Sequence, residues 1–259
     1  MCTVIILRRP DHEWPVIIGA NRDEMNNRPW QPPARHWEDR PHVIAGLDET
    51  AGGTWLGINE DGVVAAVLNR FGTLGPSDGK RSRGELPLEA LDHADAIDAA
   101  QALAELDGTA YRPFNMVIAD NRDAYWLANH GEGKIEITDI PEGLSIVTAH
   151  DLNDTENSAR TKRNLPRFIS APAPNPEADD WFAWQALLAD TGTLPADPDH
   201  HDIRADAMLV RSNIGFETLC SSVIGLPAIP TDKNELPRRP VWLFANGQPD
   251  ETPFHPVAL

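Results

Sequence analysis

Short runs of β-branched and aliphatic residues, each broken by a polar turn, dominate the chain. Residues 3–7 and 16–20 are two such runs, and Arg9-Pro10-Asp11 between them predicts a hairpin that begins almost at residue 1. Residues 54–58 and 63–68 flank Asn59-Glu60-Asp61-Gly62, whose Asp-Gly ending is a strong hairpin turn. Residues 114–119 and 124–128 repeat the plan around Asp120-Asn121-Arg122-Asp123, and further strands are predicted at 145–148, 219–224 and 241–244. In two places the apolar period lengthens. Residues 86–106 carry Leu88, Leu91, Ile97, Ala100, Leu103 and Ala104 at helical spacing and close on Asp107-Gly108, which predicts one helix. Residues 179–189 open on acidic residues, put Trp181, Trp184, Leu187 and Leu188 on one side and end at Thr191-Gly192, which predicts another. Pro-rich 172–176 and 195–198 read as loops, and 246–256 as a polar tail. This order lacks the regular alternation of a doubly wound parallel sheet. It predicts an α+β fold, two antiparallel sheets with helices packed outside, as a single domain over 1–259.

Composition narrows the partners. The chain has 259 residues, 22 Lys+Arg against 40 Asp+Glu (net −18) and 41% hydrophobic residues, within the ordinary globular range. No run approaches the ~18 apolar residues of a membrane span, and the apolar stretch at 4–7 is too short for a secretory leader. Negative charge disfavours phosphate backbones and anionic lipid. Cys2 and Cys220 alone make neither a disulfide framework nor a thiolate zinc site. The expectation is a cytoplasmic protein with a small-molecule substrate, no cofactor or metal, and no contact with nucleic acid or the membrane interior.

Four places carry candidate chemistry. Removal of Met1 would expose Cys2 as a terminal residue holding both a thiol and an α-amine of pKa about 7.7–8.0, close enough to act as its own base. On position alone Cys2 reads first as an ordinary buried cysteine of an edge strand. Asn21-Arg22-Asp23-Glu24 follows the second strand, so the predicted hairpin brings it beside Cys2. There Asp23 can orient the amine, Asn21 can order the region and Arg22 can bind a carboxylate in bidentate fashion; a plain polar turn is the alternative. Asn69 ends the strand after Gly52-Gly53-Thr54-Trp55-Leu56-Gly57 and can offer its amide to an oxyanion, or merely terminate the strand. Lys80, Arg81 and Arg83 form a basic cluster in an acidic chain, suited to an anionic substrate or to a solvated loop. Gly75-Pro76-Ser77-Asp78-Gly79 fits the G-x-S-x-G string but not its strand-to-helix context, and Asp197, Asp199, His200, His201 and Asp202 lack helical ligand spacing.

Met1-Cys2-Thr3, Asn21-Arg22-Asp23-Glu24, residues 52–59, Asn69, Ser82-Arg83-Gly84-Glu85-Leu86 and Tyr111 with Phe114-Asn115 occur in the order seen in the family named for its Asn-Arg-Asp-Glu tetrapeptide, which this chain resembles. The resemblance implies a four-layer αββα sandwich of the N-terminal-nucleophile (Ntn) hydrolase type, with Cys2, Asn21, Asp23, Asn69 and Arg22 as catalytic residues and Arg83, Trp55 and His150 binding substrate. Related acylases have Arg where this chain has Ala20, and a second oxyanion Asn near 145–151, where His150 or the nearby Asn153 would have to serve; Leu219 stands where a further acylase Arg falls. The implied reaction is hydrolysis of a small-molecule amide or ester through an acyl-enzyme. The alternative is a carrier of an amphipathic molecule such as haem or lipid in the space between the sheets, with His150 or His130 as ligand.

Overall fold

The computed structural model describes residues 2–230 and 237–259. Two antiparallel sheets face each other. Sheet A contains β1 (Thr3–Arg8), β2 (Val16–Met25), β10 (Gly143–Val147), β11 (Phe216–Leu226), β12 (Val241–Ala245) and β13 (His255–Pro256), in the order β10-β1-β2-β11-β12-β13. Sheet B runs in chain order through β3 (Trp30–Ala34), β4 (Val43–Asp48), β5 (Leu56–Asn59), β6 (Val64–Asn69), β7 (Phe114–Ala119), β8 (Ala124–Asn129) and β9 (Ile135–Asp139).

Strand alternation divides the apolar residues between two faces. In β1, Val4 and Ile6 join Ile18, Ile44, Ile58 and Val117 in the cluster between the sheets, while Ile5 points the other way. Outside sheet B lie α1 (Glu85–Ala90) and α2 (Ala96–Ala104), packed on Val43, Ala65, Met116 and Leu127. Outside sheet A, α3 (Ala159–Ser170) and α4 (Phe182–Leu188) pack Phe168, Trp184 and Leu188 on Ile5, Ile17 and Val223. The result is the expected αββα sandwich.

The hairpins predicted at 3–20, 54–68 and 114–128 are all present. Four details differ. The predicted helix over 86–106 is two helices, because Asn59 Nδ2 donates to the carbonyls of Leu91 (2.9 Å) and His93 (2.7 Å) and Asp120 accepts the Ala96 amide (3.0 Å). Side chains from sheet B thus end one helix and start the next. Helix α3, absent from the sequence expectation, holds few apolar residues, is rich in Arg and contains Pro166; Ser158 caps it by accepting from the Thr161 amide at 3.1 Å. Strands β3, β4 and β9 were not predicted; β3 holds Pro32-Pro33 and survives as a sheet edge. The polar tail ends as β13, where His255 pairs with Phe244 and the Val257 amide donates to the Trp242 carbonyl at 2.8 Å. Among the described residues, no helix is long and apolar enough to cross a membrane.

Candidate active site

Strand register sets the site. Thr3 pairs with Asn21, so Cys2 lies beside Arg22 at the end of β1. On the other side of β2, Cys220 of β11 pairs with Arg22 and Thr218 with Asp23. A bulge at Leu219 produces that pairing. It inserts one residue and reverses the alternation, so Thr218 faces the helices while Cys220 faces sheet B. Leu219, offered no cationic role by its type, therefore has a geometric one.

Strand alternation divides the tetrapeptide between two faces, and the bulge lets β11 follow it on both. Asp23 and Asn21 turn toward the helices. Asp23 is fully buried, accepts from Thr218 Oγ1 at 2.6 Å and meets Arg160 of α3 at 3.3 Å, and Arg160 also donates to Thr3 Oγ1 at 2.7 Å. Asn21 Nδ2 donates to the carbonyls of Leu188 (2.9 Å) and Met208 (3.0 Å), and its Oδ1 accepts from Ser221 (2.7 Å). The two donated bonds tie β2 to the α4 side and the accepted one ties it to β11, so the Asn21 side chain serves packing on the face away from sheet B. Cys2 and Arg22 face sheet B, where the Arg22 guanidinium sits 4.1 Å from the Trp55 ring centroid and 5.6 Å from that of Trp30.

The Cys2 thiol touches Asp23 through the backbone. The Asp23 amide donates to Sγ at 3.4 Å, and Sγ lies 3.5 Å from the Asp23 carbonyl oxygen. Burial, and then the nearby Asp23 charge, push the thiol pKa up. Cys220, fully enclosed, is pushed up to about 12 by burial. The α-amine expected to serve as base depends on Met1, which lies outside the described residues.

Cys2, Arg22, Asp23, Trp55, Asn69 and Arg83 line one cleft of about 300 Å³. Two glycine contacts bring its walls together. A Cβ on Gly46 would stand 2.2 Å from the Trp55 ring, so only glycine lets the indole lie down on β4. A Cβ on Gly53 would stand 2.4 Å from the backbone of Gly84, and the Thr54 amide donates to the Gly84 carbonyl at 2.8 Å. The Gly-Gly-Thr-Trp and Arg-Gly-Glu motifs are therefore in contact, and together they hold Trp55 and Arg83 at the cleft. Asn69 lies at the end of β6, paired with Phe114 of β7, and its side-chain amide bonds to no described residue.

Arg83 and His150 depart from expectation. Arg83 reaches the cleft wall, yet its guanidinium donates to Thr73 Oγ1 (3.1 Å) and to the carbonyls of Pro113 (3.0 Å) and Gly75 (3.4 Å). Burial, with Arg112 nearby, lowers its pKa to about 10. Arg112 donates to the carbonyls of Gly72, Leu74, Gly75 and Pro76, so both arginines clamp the 72–76 loop over the cleft. His150 stacks on Phe71 at 5.8 Å and is not among the cleft residues. Asn115 fixes that segment, donating to the carbonyls of Thr148 (2.9 Å) and His150 (2.7 Å), while Asn153 is committed to the Ile146 amide (2.8 Å) and Ser145. Neither His150 nor Asn153 supplies the second amide donor. His130 faces Glu136 at 3.8 Å. Beside Cys2, between the sheets, core side chains border a void of about 20 Å³, far smaller than the haem or lipid of the carrier reading. Sequence reasoning missed Arg160 and Thr218, because nothing local marks a helix residue or a bulge as a partner of Asp23.

A two-sheet sandwich with a cysteine at the start of a central strand defines the class: the Ntn-hydrolase fold. Solved structures of similar shape include the Caenorhabditis elegans N-acylethanolamine-hydrolyzing acid amidase ortholog (TM-score 0.56, 14% identity, 89% of this chain and 94% of that one). Penicillin V acylase from Agrobacterium tumefaciens is another (TM-score 0.52, 16% identity, 95% and 83%). The chain belongs to the Transport and Golgi organisation 2 family, whose model matches residues 1–227. The mouse Transport and Golgi organization 2 homolog is 36% identical over 110 residues, which cover 40% of this chain and 38% of that relative.

Proposed function

We propose that this chain is a cysteine amidohydrolase acting on a small-molecule amide, with an ester as the lesser substrate. The observation that carries the reading is that Cys2, Asp23 and Asn69, from three different strands, line one cleft with the Cys2 sulfur against the Asp23 backbone. Neighbours of the same fold include an acid amidase and an acylase, which supports amide chemistry as the class.

The mechanism follows from the groups at hand. Once Met1 is removed, the Cys2 α-amine takes the thiol proton and the sulfur attacks the carbonyl carbon, sending the π electrons to oxygen. The Asn69 amide meets that oxyanion. Collapse breaks the C–N bond, the leaving nitrogen takes the proton from the α-amine, and a thioester remains. Water, deprotonated by the same amine, releases the acid and restores the thiol. Asp23, held by Thr218 and Arg160, orients the amine from the helix side of the strand. Core side chains packed between the sheets beside Cys2 support the hydrolase reading over the carrier reading.

Intact-mass spectrometry during incubation with a panel of amides tests the scheme. The expected result is an acyl adduct on residue 2 in protein lacking Met1, and its loss together with turnover in Cys2→Ser. Turnover by protein that retains Met1 would overturn the self-base mechanism, and full activity in Cys2→Ala would overturn the hydrolase reading.

A further inference from the structure

Arg22 is only 5% exposed, yet its guanidinium forms no hydrogen bond or ion pair with any described residue, and Nη1 is fully buried with no partner among them. A buried, unpaired cation is costly unless something compensates it. The Trp55 and Trp30 rings lie against the guanidinium. Aromatic contact compensates charge but accepts no in-plane hydrogen bond, so the donor edge that carries Nη1 has no acceptor among the described residues. That edge is the one that matches a planar carboxylate with two parallel bonds. The small void shared by Arg22, Cys2, Trp55 and Cys220 has room for about one water, so a carboxylate must come from the larger cleft that Arg22 also lines.

The surrounding charges agree. Of the acids lining the cleft, Asp48 is held by Arg28 at 2.6 Å, Glu24 lies 3.9 Å from the same arginine, and Asp23 is turned to Arg160. The cations Lys80, Arg83 and Arg112 donate to backbone carbonyls and a hydroxyl and pair with no described carboxylate. In a chain of net charge −18, the cleft beside the thiol is thus a local concentration of uncompensated positive charge.

We propose that Arg22 is the receptor for a carboxylate carried by the substrate within a few bonds of its reacting carbonyl, so that the cleft selects anionic acyl compounds over neutral ones. This rests on the reading of Cys2 as the reactive group, but binding at Arg22 requires no turnover. The pairing of β1 with β2 puts the receptor next to the nucleophile, so carboxylate binding would fix the carbonyl at the sulfur as well as select it.

Iodoacetate and iodoacetamide are nearly isosteric thiol reagents that differ in the carboxylate. Rates of Cys2 alkylation by each, located by peptide mass spectrometry, are compared in the full chain and in Arg22→Met and Arg22→Lys. The expected result is saturable labelling by iodoacetate, and an iodoacetate-to-iodoacetamide rate ratio at least about tenfold higher than in Arg22→Met, with Arg22→Lys losing most of the preference. Acetate, but not methylphosphonate at equal ionic strength, should protect Cys2 in the parent chain. An unchanged ratio in Arg22→Met, or protection by methylphosphonate alone, overturns the carboxylate assignment while leaving Cys2 as nucleophile. If iodoacetamide fails to label Cys2, the hydrolase reading fails. The receptor is then decided by whether acetate raises the melting temperature of the parent chain more than that of folded Arg22→Lys; equal shifts overturn it.

Discussion

At the scale of single residues, the site is a set of side chains whose faces are decided by odd and even positions along a strand. Arg22 and Asp23 are neighbours in sequence and sit on opposite sides of β2, one against Trp55 and the other against Arg160. The tetrapeptide is thus two devices, a cation facing the cleft and an acid facing the helices. Asp23 also acts on the sulfur through space, because its charge adds to burial in raising the Cys2 pKa. In protein retaining Met1, alkylation of Cys2 by iodoacetamide should therefore show an inflection above the ordinary thiol value of about 8.5. Asp23→Asn removes an anion that disfavours the thiolate, so the inflection should move to lower pH; movement to higher pH would contradict the electrostatic account. Cys2, Arg22, Asp23, Trp55, Asn69 and Arg83 were legible in the sequence as motif members at strand ends. The structural task of Asn21 and the stacking of His150 on Phe71 were not, because each depends on a partner remote in the chain.

At the scale of elements, α3 matters most and was least visible. Its buried face includes Arg160, Thr161 and Asn164 alongside Phe168, so a search for runs of apolar residues passes over it although the helix is amphipathic. Its polar contacts dock it. Arg163 and Arg167 bind Asp190, just after α4, at 2.6 and 2.8 Å, and Asn164 donates to the Asp206 carbonyl at 2.9 Å. Although burial opposes it, these guanidinium bonds lower the Asp190 pKa from 3.8 to about 2. A carboxylate depressed on folding contributes stability that is fully present above its unfolded value and is lost as pH falls through the folded one. Asp190→Asn should cost roughly 2 kcal/mol at neutral pH, and the difference from the parent should shrink from about pH 4 downward and vanish only below about pH 2. Denaturant unfolding of both proteins across that window measures it; a constant difference would mean that the loss is steric. The same docking carries Arg160 to Asp23, so the helix that secures the outer layer also completes the support of the site.

At the scale of the whole molecule, the sandwich is centred on β2 and β11, which pair along almost their full lengths and are buried by sheet B on one side and the helices on the other. Amide exchange should be slowest in these two strands, approaching the global unfolding limit, whereas β13, paired through only Leu243 and Phe244, should exchange early. Early exchange in β11 would place the cleft on a locally unfolding unit. The hairpins, the two-sheet architecture and the strand-end placement of Cys2, the tetrapeptide and Asn69 follow from the sequence alone, because alternation of apolar residues and turn chemistry are local properties. Tertiary structure alone decided the division of the 86–106 helix, the pairing of Thr218 with Asp23 beside the Leu219 bulge, the arrival of Arg160, and the Arg22 guanidinium left without an acceptor among the described residues. Each joins residues far apart along the chain, and which groups meet there depends on register and layer packing, quantities that no short window of sequence contains.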